Sequence, residues 1–216
     1  MSKARQTILS RLREVDAPLR HSDTSAYQPW TATSETELQQ RFVDGLTASH
    51  AEVFSTTAEQ LESVLSQLLA DKQLSHIAIG TGGEFLPAIE QATQQAQPVV
   101  FERDIKRLKT KLFEQVDAGI THCLAGIADT GTLVLWPDSQ EPRTLSLVPP
   151  THIAIIKRST LANNFTELMH EQAWHTGMPT NSVLISGPSK TADIQQTLAY
   201  GAHGPRELVV VLIEDK

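Results

Sequence analysis

The chain has 216 residues, 18 Lys+Arg against 25 Asp+Glu for a formal charge of −7, and a hydrophobic fraction of 40%. That length buries a sizeable core and fits one α/β domain with an N-terminal extension. The charge argues against a non-specific nucleic-acid binder, which needs a dense cationic surface.

Residues 3–15 read as a short amphipathic helix with Ile8, Leu9, Leu12 and Val15 on one stripe, ended by Pro18. Residues 20–34 are polar and turn-rich, an arm that Tyr27 and Trp30 are expected to pin to the chain's own domain, or else to a partner's surface. The expected division is therefore a helix and arm over 1–34 and an α/β domain over 35–216. "ETELQQRFVDGLTAS" is helical and "AEVFST" a strand. In "TAEQLESVLSQLLADK" Thr57 and Gln60 form a capping pair, with Leu61, Val64, Leu65, Leu68 and Leu69 following at helical spacing. "HIAIG" (strand), "EFLPAIEQATQQ" (helix) and "PVVFE" (strand) come next, then a charged helix over about 104–116. Beyond Ala118, "GITHCLAGIADTGTLVLW" and "LSLVPPTHIAIIKR" carry several short strands. "LANNFTELMHEQAW" returns to helix, "SVLISG" to strand, "TADIQQTLAYGA" to helix and "ELVVVLIE" to strand. Alternation of strand and helix at both ends predicts a three-layer, mostly parallel sheet covered on both faces.

No apolar run approaches the roughly 20 residues needed to cross a bilayer. The first residues lack the apolar core of a secretory signal, so the cytoplasm is the expected location. Cys123 is the only cysteine. It has no disulfide partner within the chain, and one thiol cannot supply the usual four ligands of an iron–sulphur cluster. No cofactor is expected on this chain alone.

Several turns carry candidate chemistry. Gly80, Gly82 and Gly83 lie between a strand and a helix, with Glu102 about 20 residues on, as in a dinucleotide fingerprint. Phe85 occupies the sixth position, where a small residue is needed. A tight turn and a turn whose N–H groups face a ligand anion both remain open. "ISGPSKT" is not a P-loop, because Ser189 and Leu184 stand where glycines are required. Ser189 or Thr191 capping a helix, with Lys190 and Asp193 in its first turn, makes either a plain helix start or an anion site. His203 sits between Gly201, a candidate helix C-cap, and the Gly204-Pro205 turn. Asp129, Thr130, Gly131 and Thr132 form either a β-turn or a carboxylate-bearing ligand site. His170 and His175 are five residues apart, about 140° around a helix, which excludes a shared zinc face. No metal site is expected.

"GIADTGTLVL", "LSLVPPTHIAII" and "ISGPSKTADIQQTLAYGAHGPRELVVVLI" together resemble the LUD-domain (LutC/YkgG, lactate-utilisation) family across about residues 76–216. Asp129 stands where that family more often has Glu, Lys190 where it has Arg, and Ala202 where it has Val. The resemblance implies a fold akin to the ribose-5-phosphate isomerase, glucosamine-phosphate deaminase and CoA-transferase superfamily. It also implies a part in oxidising L-lactate to pyruvate, beside partner proteins that carry iron–sulphur clusters. The expected role is a non-redox subunit or accessory protein. In it a crevice of residues 80–83, 129–132 and 189–193, outside the carboxyl ends of the strands, holds a small anionic or nucleotide-like ligand. Lys190 would neutralise the ligand and His203 would shuttle a proton. The alternative is an independent isomerase or acyl- or CoA-transfer enzyme with Asp129 as base or nucleophile.

Overall fold

The computed structural model describes residues 3–14, 28–100, 113, 115–192, 198–201 and 203–215. Six parallel strands form the main sheet in the order β1 (Glu52–Thr56), β12 (Glu207–Ile213), β7 (Thr151–Lys157), β4 (Ala118–His122), β2 (His76–Ile79) and β3 (Gln97–Val100). The run "ELVVVLI" is apolar at nearly every position because β12 is covered on both faces, and it pairs from Glu207↔Thr151 to Ile213↔Lys157 with β7.

Alternation splits those side chains between two cores. Ile153, Ile155, Val209 and Val211 pack under α3 (Leu61–Asp71) and α4 (Leu86–Ala92). Ala154, Ile156, Val210 and Leu212 face α2 (Glu35–Ala48) and a second, smaller sheet. That sheet has the order β8 (Leu161–Ala162), β5 (Ala125–Ile127), β6 (Thr132–Leu135), β9 (Val183–Ile185). Its far face packs Leu168 of α6 (Phe165–Glu171) and Trp174 from the turn after it against Ala125, Ile127 and Val134. A single turn of helix, α5 (Thr144–Leu147), precedes β7. The mostly parallel three-layer sheet is thus present, with the smaller sheet sharing a layer with α2. No helix among the described residues is long and apolar enough to cross a membrane.

Two helix starts are capped as their sequences dictate. Ser34 Oγ accepts the Glu37 N–H at 3.2 Å, and Glu37 reaches back to Thr33. Asn164 Oδ1 accepts the Glu167 N–H at 3.0 Å. The Asn164 amide also donates to the Trp30 carbonyl, so the arm ahead of α2 is pinned where Trp30 enters the second core. Tyr27 lies outside the described residues. The N-terminal helix α1 spans Lys3–Glu14 with no buried residue.

Three sequence expectations change. Thr57 does not cap α3: its hydroxyl serves Glu59 instead, holding that carboxyl below its usual range, and a 3₁₀ turn (Ala58–Gln60) leads into the helix. "LSLVPP" is the α5 turn rather than a strand. The expected helix after Ser189 is a hairpin, in which β10 (Lys190–Ala192) pairs antiparallel with β11 (Leu198–Tyr200) from Lys190↔Tyr200 to Ala192↔Leu198. The ladder extends at its base, where Gly201 N–H donates to the Ser189 carbonyl and Ser189 N–H to the Pro205 carbonyl. Cross-strand bonds therefore satisfy backbone groups that a helix would pair internally. Neither Ser189 nor Thr191 caps a helix, and Gly201 takes its positive φ of 80° at the end of a strand. Asp193, Glu102 and most of the expected charged helix lie outside the described residues.

Candidate functional site

The glycine turn after β2 and the loops around Ser189 and His203 lie at opposite edges of the main sheet. Gly82 and Gly83 sit at the carboxyl ends of β2 and β4, lining a recess of about 200 Å³ with His122, Cys123, Asp138 and Glu141. Its centre is a clamp. His122 Nδ1 lies 2.5 Å from Glu141 Oε1, while its Nε2 accepts the Phe85 N–H at 3.1 Å. With Nε2 an acceptor, Nδ1 carries the proton and donates it to Glu141. Glu141 Oε2 also accepts the His122 backbone N–H at 3.0 Å.

This clamp explains the glycines. A Cβ on Gly83, whose φ is +106°, would lie 2.2 Å from His122 Cε1. One on Gly80 would lie 2.6 Å from Glu141 Cγ, and one on Gly82 2.7 Å from the Gln140 amide. The close neighbour that demands glycine is the 138–141 turn and the His122 ring. Among the described residues two carboxylates and no lysine or arginine line the recess, a poor setting for an anion. Cys123 is half-buried there, and burial together with the nearby Glu141 charge pushes its thiol well above the usual range.

The second cavity, about 230 Å³, opens at the amino edge of the sheet, between the starts of β7 and β12 and strand β9. It lies there because the Arg206 N–H donates to the Pro150 carbonyl at 2.7 Å, tying residues 203–206 to the entry of β7. Ser186, Ser189, His203 and Ser146 give it polar walls, and Leu147, Leu184 and Leu208 apolar ones. No carboxylate among the described residues lines it. Lys190 stands exposed directly beside Ser189. His152 forms part of the wall, is 1% exposed, and meets Thr121 Oγ1 through Nε2 at 2.9 Å. Burial pushes its imidazole down to about 4.

The 129–132 turn reaches this same cavity through hydroxyls. Thr130 Oγ1 is 2.7 Å from Thr132 Oγ1, which is 2.7 Å from Ser186 Oγ. Asp129 points elsewhere: its carboxylate, 27% exposed, pairs with Arg41 at 3.4 Å, and Arg41 stacks over Trp30 at 5.3 Å. Asp129 lines neither recess. Gly131 has φ +58°, and a Cβ there would lie 2.6 Å from the Gly45 carbonyl carbon. Its lack of a side chain lets the hairpin rest on α2.

The structure thus brings Ser189 and His203 to one cavity, with Thr132 and Thr130 behind its lining residue Ser186, and leaves Gly80, Gly82 and Gly83 at the other edge. Thr191 enters β10. Sequence reasoning missed His152, His122 and Glu141. His152 had one available signal, a histidine inside the apolar run "THIAIIK".

Residues 39–213 match the LUD domain family model. An uncharacterized protein of Neisseria meningitidis serogroup B is 39% identical over 97% of this chain and 93% of its own. A protein of Geobacillus sp. named lactate utilization protein C is 28% identical over 98% and 94%. One of the same name from Macrococcus caseolyticus is 29% identical over 77% and 74%. In fold, the chain is similar to the crystal structure of a DUF162 family protein from Deinococcus radiodurans. That match has a TM-score of 0.62 at 22% identity and covers 84% of this chain and 99% of that one.

Proposed function

The chain belongs to the LUD domain family, and from that premise we propose that it serves lactate utilisation as a subunit without a redox centre of its own. The observation that carries this reading is the near end-to-end relationship with a protein named lactate utilization protein C. The single, half-buried thiol supports the non-redox part, since it leaves cluster binding and electron transfer to partner proteins in the same cytoplasm.

In this reading the ligand occupies the amino-edge cavity. Hydroxyls and imidazoles line it, and no carboxylate among the described residues opposes a negative charge. Its volume of about 230 Å³ is below the roughly 300–1,000 Å³ of sites for larger ligands, which favours a small anion over a nucleotide. The rival reading, an independent isomerase or acyl-transfer enzyme using Asp129, gains nothing from position, because that carboxylate is paired with Arg41 outside the cavity.

Native purification of the tagged chain from lactate-grown cells tests the subunit role. Recovery with cluster-bearing partners that oxidise lactate supports it. A chain recovered alone after crosslinking in the cells contradicts it.

A further inference from the structure

His152 makes one side-chain hydrogen bond, to Thr121, and the pair can share its hydrogen in either direction. Thr121 Oγ1 has no other hydrogen-bond partner among the described residues. If His152 Nε2–H donated to it, both the threonine hydrogen and the Nδ1 lone pair would be left over. If the threonine O–H donates to Nε2, the Nδ1 hydrogen and the threonine lone pairs are left over. Each arrangement leaves one donor and one acceptor unmet, and in the second the unmet donor is the imidazole Nδ1–H, which a ligand oxygen can satisfy. Nδ1 is indeed buried and finds no protein partner among the described residues.

Resting on the ligand-binding reading above, we propose that His152, held as the Nδ1–H tautomer by Thr121, is the buried donor that recognises a carboxylate oxygen of a small carboxylic acid in the amino-edge cavity. Two independent features converge on this: a buried imidazole nitrogen without a partner, and a cavity of about 230 Å³ whose lining, among the described residues, includes His152 and no carboxylate. Leu147, Leu184 and Leu208 supply apolar wall for a short carbon body, and the Ser186 and Ser189 hydroxyls are placed for its other oxygens. A hydrogen bond between a neutral donor and a charged acceptor is among the stronger kinds. The class that fits is a short-chain hydroxy or keto acid.

Nitrogen-15 spectra of the histidine rings test this on the full chain, with sodium pyruvate and sodium L-lactate as probes and lactamide as the uncharged counterpart of lactate. The expected result has three parts: an Nδ1–H tautomer for His152 in the free protein, movement of that signal on adding pyruvate, and affinity about tenfold or more weaker in His152→Phe. An Nε2–H tautomer overturns the inference, and the free wild-type spectrum decides this even if the variant does not fold. An equal response to lactamide overturns the carboxylate assignment. Pyruvate that shifts the Ser186 and Ser189 amides while His152 stays unmoved overturns the role of His152 and leaves the ligand-binding reading standing. No shift at any cavity residue with pyruvate or L-lactate overturns both.

Discussion

His152 Nε2 lies 2.9 Å from Thr121 Oγ1, joining the first turn of β7 to the adjacent β4 beneath the amino-edge cavity. The pair has a consequence for stability. Burial holds the folded imidazole near 4, whereas an unfolded histidine titrates near 6.5. Between those values the unfolded chain binds a proton that the folded chain refuses, so stability falls as pH drops through the window. Above about pH 6.5 this contribution is constant. Its full loss near pH 4 is about 3 kcal/mol. Denaturant unfolding at pH 7 and pH 4 should show a decline that is smaller by about that amount in His152→Phe. Identical pH profiles for the two proteins contradict the assignment.

Gly45 and Gly131 meet backbone to backbone, with an added Cβ on Gly45 falling 2.8 Å from Gly131 Cα. Gly131→Ala adds a left-handed conformation to that collision. It should destabilise the chain by at least about 2 kcal/mol, and Gly45→Ala by about 1–3 kcal/mol. Thermal melts check both. A Gly131→Ala protein as stable as wild type would mean that the turn does not rest on α2.

Glu141 accepts both the Nδ1 proton and the backbone N–H of His122. Glu141→Ala strands two partly buried donors and should cost about 1–3 kcal/mol. Glu141→Gln, which keeps an acceptor oxygen, should cost less. Because the proposed ligand site is the amino-edge cavity and not this recess, Glu141→Gln should leave pyruvate binding unchanged in calorimetry.

Asp129 separates the subunit reading from the independent enzyme. Its exposed pairing with Arg41 belongs to a class worth about 1 kcal/mol or less. Asp129→Asn should therefore lower stability slightly and leave lactate oxidation by the assembled proteins near wild-type rate. A loss of a hundredfold or more would restore Asp129 as a catalytic residue.

Much of the fold was legible because two periodicities dominate. The leucines of "LESVLSQLLAD" stand at helical spacing and bury Leu61, Leu65, Leu68 and Leu69, while "ELVVVLI" can only be a strand covered on both faces. The hairpin of β10 and β11 was illegible for a physical reason. Thr, Ala, Ile and Leu at those spacings suit a helix, and what decides otherwise is a bond from Gly201 to Ser189 and one from Ser189 to Pro205, which no local pattern announces.

The candidate site was half legible. Ser189 and His203, singled out from turn chemistry, line the amino-edge cavity, and Thr132 meets its lining residue Ser186 because β6 pairs with β9. His152 looked like one polar residue in an apolar run, and only the register of β7 against β12 and β4 places it in the cavity wall. The glycines at 80–83 read as a ligand turn in the sequence, and in the structure close neighbours at Gln140, Glu141 and His122 impose the same demand for glycine that a close phosphate would.

Lactate-dependent dye reduction in extracts of cells lacking this chain is the most direct measurement. The account predicts a large loss of activity, restored by adding back the purified chain and restored poorly by His152→Phe. Full lactate oxidation without the chain would contradict its place in lactate utilisation.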